Sequence, residues 1–153
     1  MPATAELAPA LAVLATELRA CGEPWWLIGS AAMAAHGAPV PVRDIDVLLG
    51  LTDAAALLTA RGLAAAGVPD GRFRSELFAS WDAAPFTVEL FAGFHVRDGD
   101  GWRRLVPETR EARNIGNVEV FVPAIAELIA WGRLFDRPKD REREPLLRAL
   151  LPA

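Results

Sequence analysis

One cysteine and one lysine in 153 residues set the first limits on this chain. Cys21 has no partner for an internal disulfide, and a lone thiol cannot build a cysteine-rich zinc site, so the sequence suits a reducing compartment. Lys139 follows no glycine-rich loop, which excludes a Walker-type phosphate loop. Long apolar runs are also missing, because Arg, Asp, Glu or Pro interrupts each one before the roughly 20 residues that a bilayer span needs. The opening stretch MPATAELAPALAVLATELRACG carries no basic residue ahead of its apolar part, so no secretory signal is expected and the chain reads as cytoplasmic. Basic charge is not in excess either: 16 Lys+Arg stand against 20 Asp+Glu, a net of −4. No general attraction to phosphate backbones follows from that balance, and a nucleic-acid partner would need a local patch hidden in the totals.

What is present is apolar material, 52% of the chain, enough at this length for one domain with a core of its own. Leu7, Leu11, Leu14 and Leu18 recur at helical spacing and predict an N-terminal helix over 1–22. Trp25-Trp26-Leu27-Ile28 then reads as a strand, broken at Gly29-Ser30 before an Ala-rich helix in which Ser30 is expected at the N-cap and Gly37 near the C-cap. Arg43–Leu49 reads as a second strand. Thr52 or Asp53 is expected to cap a helix over Ala54–Ala66, and strands are expected near Phe73–Ala79, Phe86–Phe91 and Val118–Val122. Asp98-Gly99-Asp100-Gly101 is a turn signal. Pro123 suits the first turn of a helix to about Phe135, and a charged helix from Lys139 to Leu150 follows. The expected organisation is a single domain, with the sheet and its helices over 25–122 and a helical segment over 123–153.

The chemistry concentrates at Asp44-Ile45-Asp46. Side chains two apart on a strand share one face, about 6.6 Å apart along the backbone, so the two carboxylates converge within an apolar segment. A divalent cation would relieve their repulsion, and hard oxygen donors suit Mg²⁺, which also binds phosphates and retains waters. On its own, an Asp-x-Asp pair is better read as an exposed strand face paired with arginines, and the elements around it are what weigh against that. Upstream, Gly29-Ser30 follows a strand and opens a helix, where backbone N–H groups and a hydroxyl can face a phosphate or simply make a turn. Downstream, Glu89 interrupts the apolar strand Phe86–Phe91, as a third metal-site acid, as a base for a hydroxyl proton, or as a surface glutamate.

Taken in order, WWLIGSAAMAAHG, RDIDVLL, TVELF and VPAIAELIAWGRLFDRPKDRE resemble the polymerase-beta-like nucleotidyltransferase superfamily, in particular its small bacterial members. The resemblance spans about residues 25–145. It implies an α/β (α+β) fold, a mixed β-sheet flanked by helices with helices at the C-terminus. It also implies transfer of a nucleoside monophosphate from an NTP, ATP being the expected donor, to a hydroxyl acceptor with release of pyrophosphate. By position, Asp44, Asp46 and Glu89 would be the catalytic, metal-binding acids holding two Mg²⁺ ions, and Gly29, Ser30 and Arg133 would bind the nucleotide. A lysine common in the first C-terminal helix of such proteins is replaced by Gly132, with Arg133 beside it as a phosphate partner or as a partner of Glu127 or solvent. The acid count favours a small-molecule or protein acceptor over RNA. Val40 and Val42 stand where relatives carry polar residues, which leaves a second reading open: a non-catalytic protein of the same fold that binds a protein partner, such as half of a toxin–antitoxin pair.

Gly29-Ser30-Ala31 lacks the frame of a serine nucleophile elbow, and no Ca²⁺ loop follows Asp44. His36 and His95 have no ligand-spaced neighbour. The five tryptophans suit packing, with stacking on a ring as the alternative. The alternating run Lys139–Glu144 reads as a solvated helix face, with Asp140 available to anchor it.

Overall fold

The computed structural model describes residues 4–65 and 71–152. In chain order it contains α1 (Thr4–Leu18), β1 (Trp26–Ile28), α2 (Gly29–Ala35), β2 (Asp44–Leu48), α3 (Leu51–Arg61), β3 (Phe73–Ala83), β4 (Phe86–Asp98), β5 (Gly101–Arg104), β6 (Glu111–Ile115), β7 (Val118–Val122), α4 (Ile125–Phe135) and α5 (Pro138–Arg148). The sheet order is β1-β2-β4-β3 with β5 on β4; β2 and β4 run parallel and the other pairings are antiparallel. β6 and β7 form a separate antiparallel pair. This is the expected α+β arrangement of a mixed sheet flanked by helices. Among the described residues no helix is long and apolar enough to cross a membrane.

The core follows from the apolar periodicity. Leu7, Leu11, Leu14 and Leu18 line one side of α1 and are all buried. Ile45 and Val47 of β2 meet Val88 and Leu90 of β4 in register, and Ala31 and Ala32 of α2 join the same cluster. Val42 is buried there too, which accounts for an apolar residue at that position.

Several boundaries differ from the sequence expectation, each for a local reason. Ser30 is not a cap: α2 begins at Gly29, Ile28 occupies the cap position, and no side chain bonds the exposed N–H groups. Neither Thr52 nor Asp53 caps α3, which starts after Gly50 and stops at Gly62, whose φ of 68° ends the helix before Ala66, a residue outside the described set. The Asp53 carboxylate instead accepts the Gly22 and Glu23 N–H groups at 2.9 and 3.0 Å, tying the exit of α1 to α3. Pro123 precedes the Ala124 cap of α4 rather than sitting in its first turn. β5 and β6 were not expected, because short strands with alternating charge carry little apolar signal, and β3 and β4 run longer than expected.

Candidate active site

A cleft of about 390 Å³ opens between β2, β3 and β4 on one side and α4 and α5 on the other. Three kinds of surface line it.

The first is acidic. Parallel pairing puts Asp46 directly opposite Glu89, with Asp44 two residues earlier on the same strand face, and all three line the cleft. The Glu89 carboxyl is within hydrogen-bonding reach of both aspartates. One Asp46 oxygen, Oδ1, is buried and has no hydrogen-bond partner among the described residues. Burial, followed by the charges of Glu89 and Asp44, pushes the Asp46 carboxyl up to about 7. Burial and the Asp44 charge push Glu89 up as well. Gly29 permits this crowding: its φ is +65°, and a Cβ there would lie 2.8 Å from Asp46 Oδ2.

The second surface is cationic and comes from the start of α5. Pro138 occupies the first turn, and Arg137 and Asp140 form a reciprocal cap. Asp140 is only 5% exposed and accepts the Arg137 N–H, Nε and Nη2 at 3.1, 2.7 and 2.9 Å. That pair fixes the first turn and sets Lys139 and Arg143 at the cleft with Arg137. Lys139 feels the charges of Asp46 and Glu89, while burial, then the like charges of Arg137 and Arg143, lowers its own pKa. The solvated face expected of this run holds at Lys139, Arg141 and Glu142, which are exposed, and is corrected at Arg143 and Glu144, which are half-buried, and at Asp140, which is buried and anchors the helix. Lys139, one helix later, lines the cleft that Gly132 also lines. A signal was available in the sequence: the only lysine of the chain, placed directly after Arg137-Pro138.

The third surface is aromatic. Phe73, Phe78, Phe91, Phe94, Trp131 and Phe135 line the cleft in a continuous set of ring contacts, from 5.0 Å for Phe73–Phe135 to 6.5 Å for Phe94–Trp131. The other four tryptophans lie outside the lining. His36 and His95 each bond a backbone carbonyl, of Pro123 and Gly93.

Two expected nucleotide contacts are not brought to this cleft. Ser30 is not among the lining residues, although Gly29 is. Arg133 is also absent, because it lies two residues and so about 200° around α4 from Trp131, which faces the cleft. It meets neither Glu127 nor the cleft: its guanidinium forms a two-pronged pair with Glu144 at 2.8 and 2.9 Å. Glu127 instead accepts the backbone N–H groups of Glu108 and Thr109.

Among the described residues, no three His, Cys, Asp or Glu side chains are arranged to hold a metal ion by themselves. The donor set nevertheless fits a hard cation that takes its remaining ligands from water and phosphate. It consists of carboxylate oxygens, one of them orphaned and buried, in a cluster whose like charges need a counter-ion. Asp46 and Glu89, with Asp44, are the residues that could hold it.

No family model matches the chain, and no curated protein matches it at significant similarity. Solved structures do. A candidate nucleotidyltransferase of Thermotoga maritima, TM1012, aligns with a TM-score of 0.72 at 20% identity, over 95% of this chain and 92% of that one. LnuA, a lincosamide antibiotic adenylyltransferase solved with lincomycin bound, aligns at 0.63 and 10% identity, covering 94% and 97%. The antibiotic-resistance factor ANT(2'')-Ia aligns at 0.57 and 13% identity, covering 95% and 82%. The chain therefore has the nucleotidyltransferase fold along nearly its whole length.

Proposed function

We propose that this protein is a Mg²⁺-dependent nucleotidyltransferase, which moves a nucleoside monophosphate from an NTP to a hydroxyl acceptor and releases pyrophosphate. The observation that carries the reading is one cleft, on a nucleotidyltransferase fold, in which Asp44, Asp46 and Glu89 face Lys139, Arg137 and Arg143. Such a cleft suits a polyphosphate: the cations neutralise its outer oxygens, and the acids sit where the reacting phosphorus and a metal would meet.

Asp44, Asp46 and Glu89 would hold the metal, which when bound supplies positive charge to the phosphate oxygens. Lys139 and Arg143 hold the β- and γ-phosphate oxygens and offset the charge that builds on the leaving pyrophosphate. The acceptor oxygen attacks the α-phosphorus as the bond to the β-phosphate oxygen breaks, and the hydroxyl proton passes to the Glu89 carboxylate. The aromatic wall holds the ring systems of the reactants and keeps water from the phosphorus. Most of the acceleration in this scheme comes from positioning and charge neutralisation.

The test is incubation with each α-labelled NTP, ATP first, with Mg²⁺ and a cell extract, comparing wild type with Asp44→Ala/Asp46→Ala. Metal-dependent NTP binding and label transfer are expected in the wild type and absent from the double variant, whose melting cooperativity should survive. Equal NTP affinity in the two proteins would overturn the metal-site assignment. Absence of transfer together with a stoichiometric co-purifying protein would instead support a partner-binding, toxin–antitoxin type of role.

A further inference from the structure

Two sets of arginines contrast. Arg61, Arg113, Arg133, Arg137, Arg141 and Arg148 each meet a carboxylate at 2.5–2.9 Å. Arg74, Arg97 and Arg104 are exposed and form no ion pair among the described residues; the polar contacts of Arg97 are the backbone carbonyls of Gly71 and Asp100.

Strand pairing gathers these three. Arg74, His95 and Arg104 are opposite one another across β3, β4 and β5, and Arg97 is opposite Trp102 in the next row, so all five side chains share one face. The Arg74 and Arg97 guanidiniums lie 5.0 and 4.5 Å from the Trp102 ring centroid. Gly93 creates this face. Its φ of +62° interrupts the alternation of β4, so that Phe91 and Phe94 both line the cleft while His95 and Arg97 turn to the other side. Glu76 lies against Gly93, and Asp98 and Asp100 stand at the β4–β5 turn next to Arg97.

Adjacent strands are about 4.8 Å apart, so three unpaired guanidiniums repel one another in a chain whose net charge is −4. An anionic strand relieves that repulsion, and a flat ring set among guanidinium planes suits a base together with its phosphates. Arg74, on the edge strand β3, also lines the cleft, whereas Arg97, Trp102 and Arg104 do not. We propose that this face binds single-stranded nucleic acid, with phosphates on Arg74, Arg97 and Arg104 and a base stacked at Trp102. The proposal does not depend on the transfer reaction. It differs from the preference against RNA that the total charge suggested, since a local patch is what such totals hide.

The test is fluorescence anisotropy of labelled oligouridine of about 12 nucleotides, without NTP or metal, at about 50 and 200 mM salt. Expected is binding that weakens with salt, with a log–log slope near −2, as for about three neutralised phosphates on a single strand. Arg97→Glu/Arg104→Glu should weaken it at least about tenfold, whereas Arg113→Glu/Arg141→Glu, with the same change in net charge, should not. Trp102→Ala should lose about five- to a hundred-fold toward oligouridine and leave binding of inorganic polyphosphate unchanged. All variants are surface changes, and an unchanged melting temperature qualifies each. No binding at the lower salt overturns the proposal, as does equal weakening by the two charge reversals. Poly-glutamate bound as tightly as oligouridine, with no effect of Trp102→Ala, also overturns it and makes the face a site for acidic protein.

Discussion

Asp46 and Asp140 line the same cleft from opposite sides, and their surroundings are opposites. The Asp140 carboxylate accepts three hydrogen bonds from Arg137 and holds the first turn of α5. Asp46 has a buried oxygen with no partner among the described residues, two carboxyl neighbours and a pKa lifted to about 7. A buried acid that is fully bonded stabilises the architecture, whereas one left short of partners among like charges costs stability unless a proton or a cation relieves it. The molecule needs both: the first fixes the wall that carries Lys139, and the second supplies the floor that Lys139 faces.

The widest separation of the two should come from neutralising each. Asp140→Ala leaves the Arg137 guanidinium without its partner and uncaps α5, so urea unfolding should show a loss of roughly 3–5 kcal/mol. Asp46→Asn should raise the unfolding midpoint at pH 8, because it removes a desolvated charge beside Glu89 and Asp44, while label transfer falls by about 10³-fold. A loss of stability in Asp46→Asn matching that of Asp140→Ala would erase the contrast.

A smaller effect is expected from pH. With its pKa raised, Asp46 keeps its proton in the folded protein over a range in which the unfolded chain has released it. The stability it contributes is therefore complete below about pH 4 and lost as pH rises through about 7. Glu89 acts with the same sign. Metal-free protein should lose on the order of a few kcal/mol across that window, and Mg²⁺ should flatten the slope by stabilising the ionised cluster near pH 8 more than near pH 5. A metal-free melting temperature that rises from pH 5 to pH 8 would contradict the desolvated cluster.

The smallest effect belongs to Arg133. Its pair with Glu144 lies on the exposed side of α4 and α5, so Arg133→Ala should leave kcat/KM within about twofold and barely move the melting temperature. A loss of about tenfold or more would return Arg133 to the phosphate site.

Much of the fold was legible because the signals are local. The α1 leucines, the Gly29 break and the apolar strand around Asp44 and Asp46 each appear within a few residues of sequence, and the order of these pieces resembled the fold that the solved structures share. Helix ends were less legible. Gly62 stops α3 through its backbone conformation, and Asp53, a good cap by type, bonds N–H groups 30 and 31 residues away. Nor could composition show that Arg74 and Arg97 meet over Trp102, with Arg104 on the same sheet face.

By itself the sequence determined which residues are suited to the chemistry: three acids in apolar strands, and a Gly-Ser break upstream of them. Only the tertiary structure decided which of them meet. The register that sets Asp46 against Glu89 depends on β2 pairing in parallel with a strand some 40 residues later. The exclusion of Arg133 and the recruitment of Lys139 depend on how α4 and α5 are rotated as they pack. Pairing and rotation are settled by the burial of whole faces against one another, a property that no local run of residues contains.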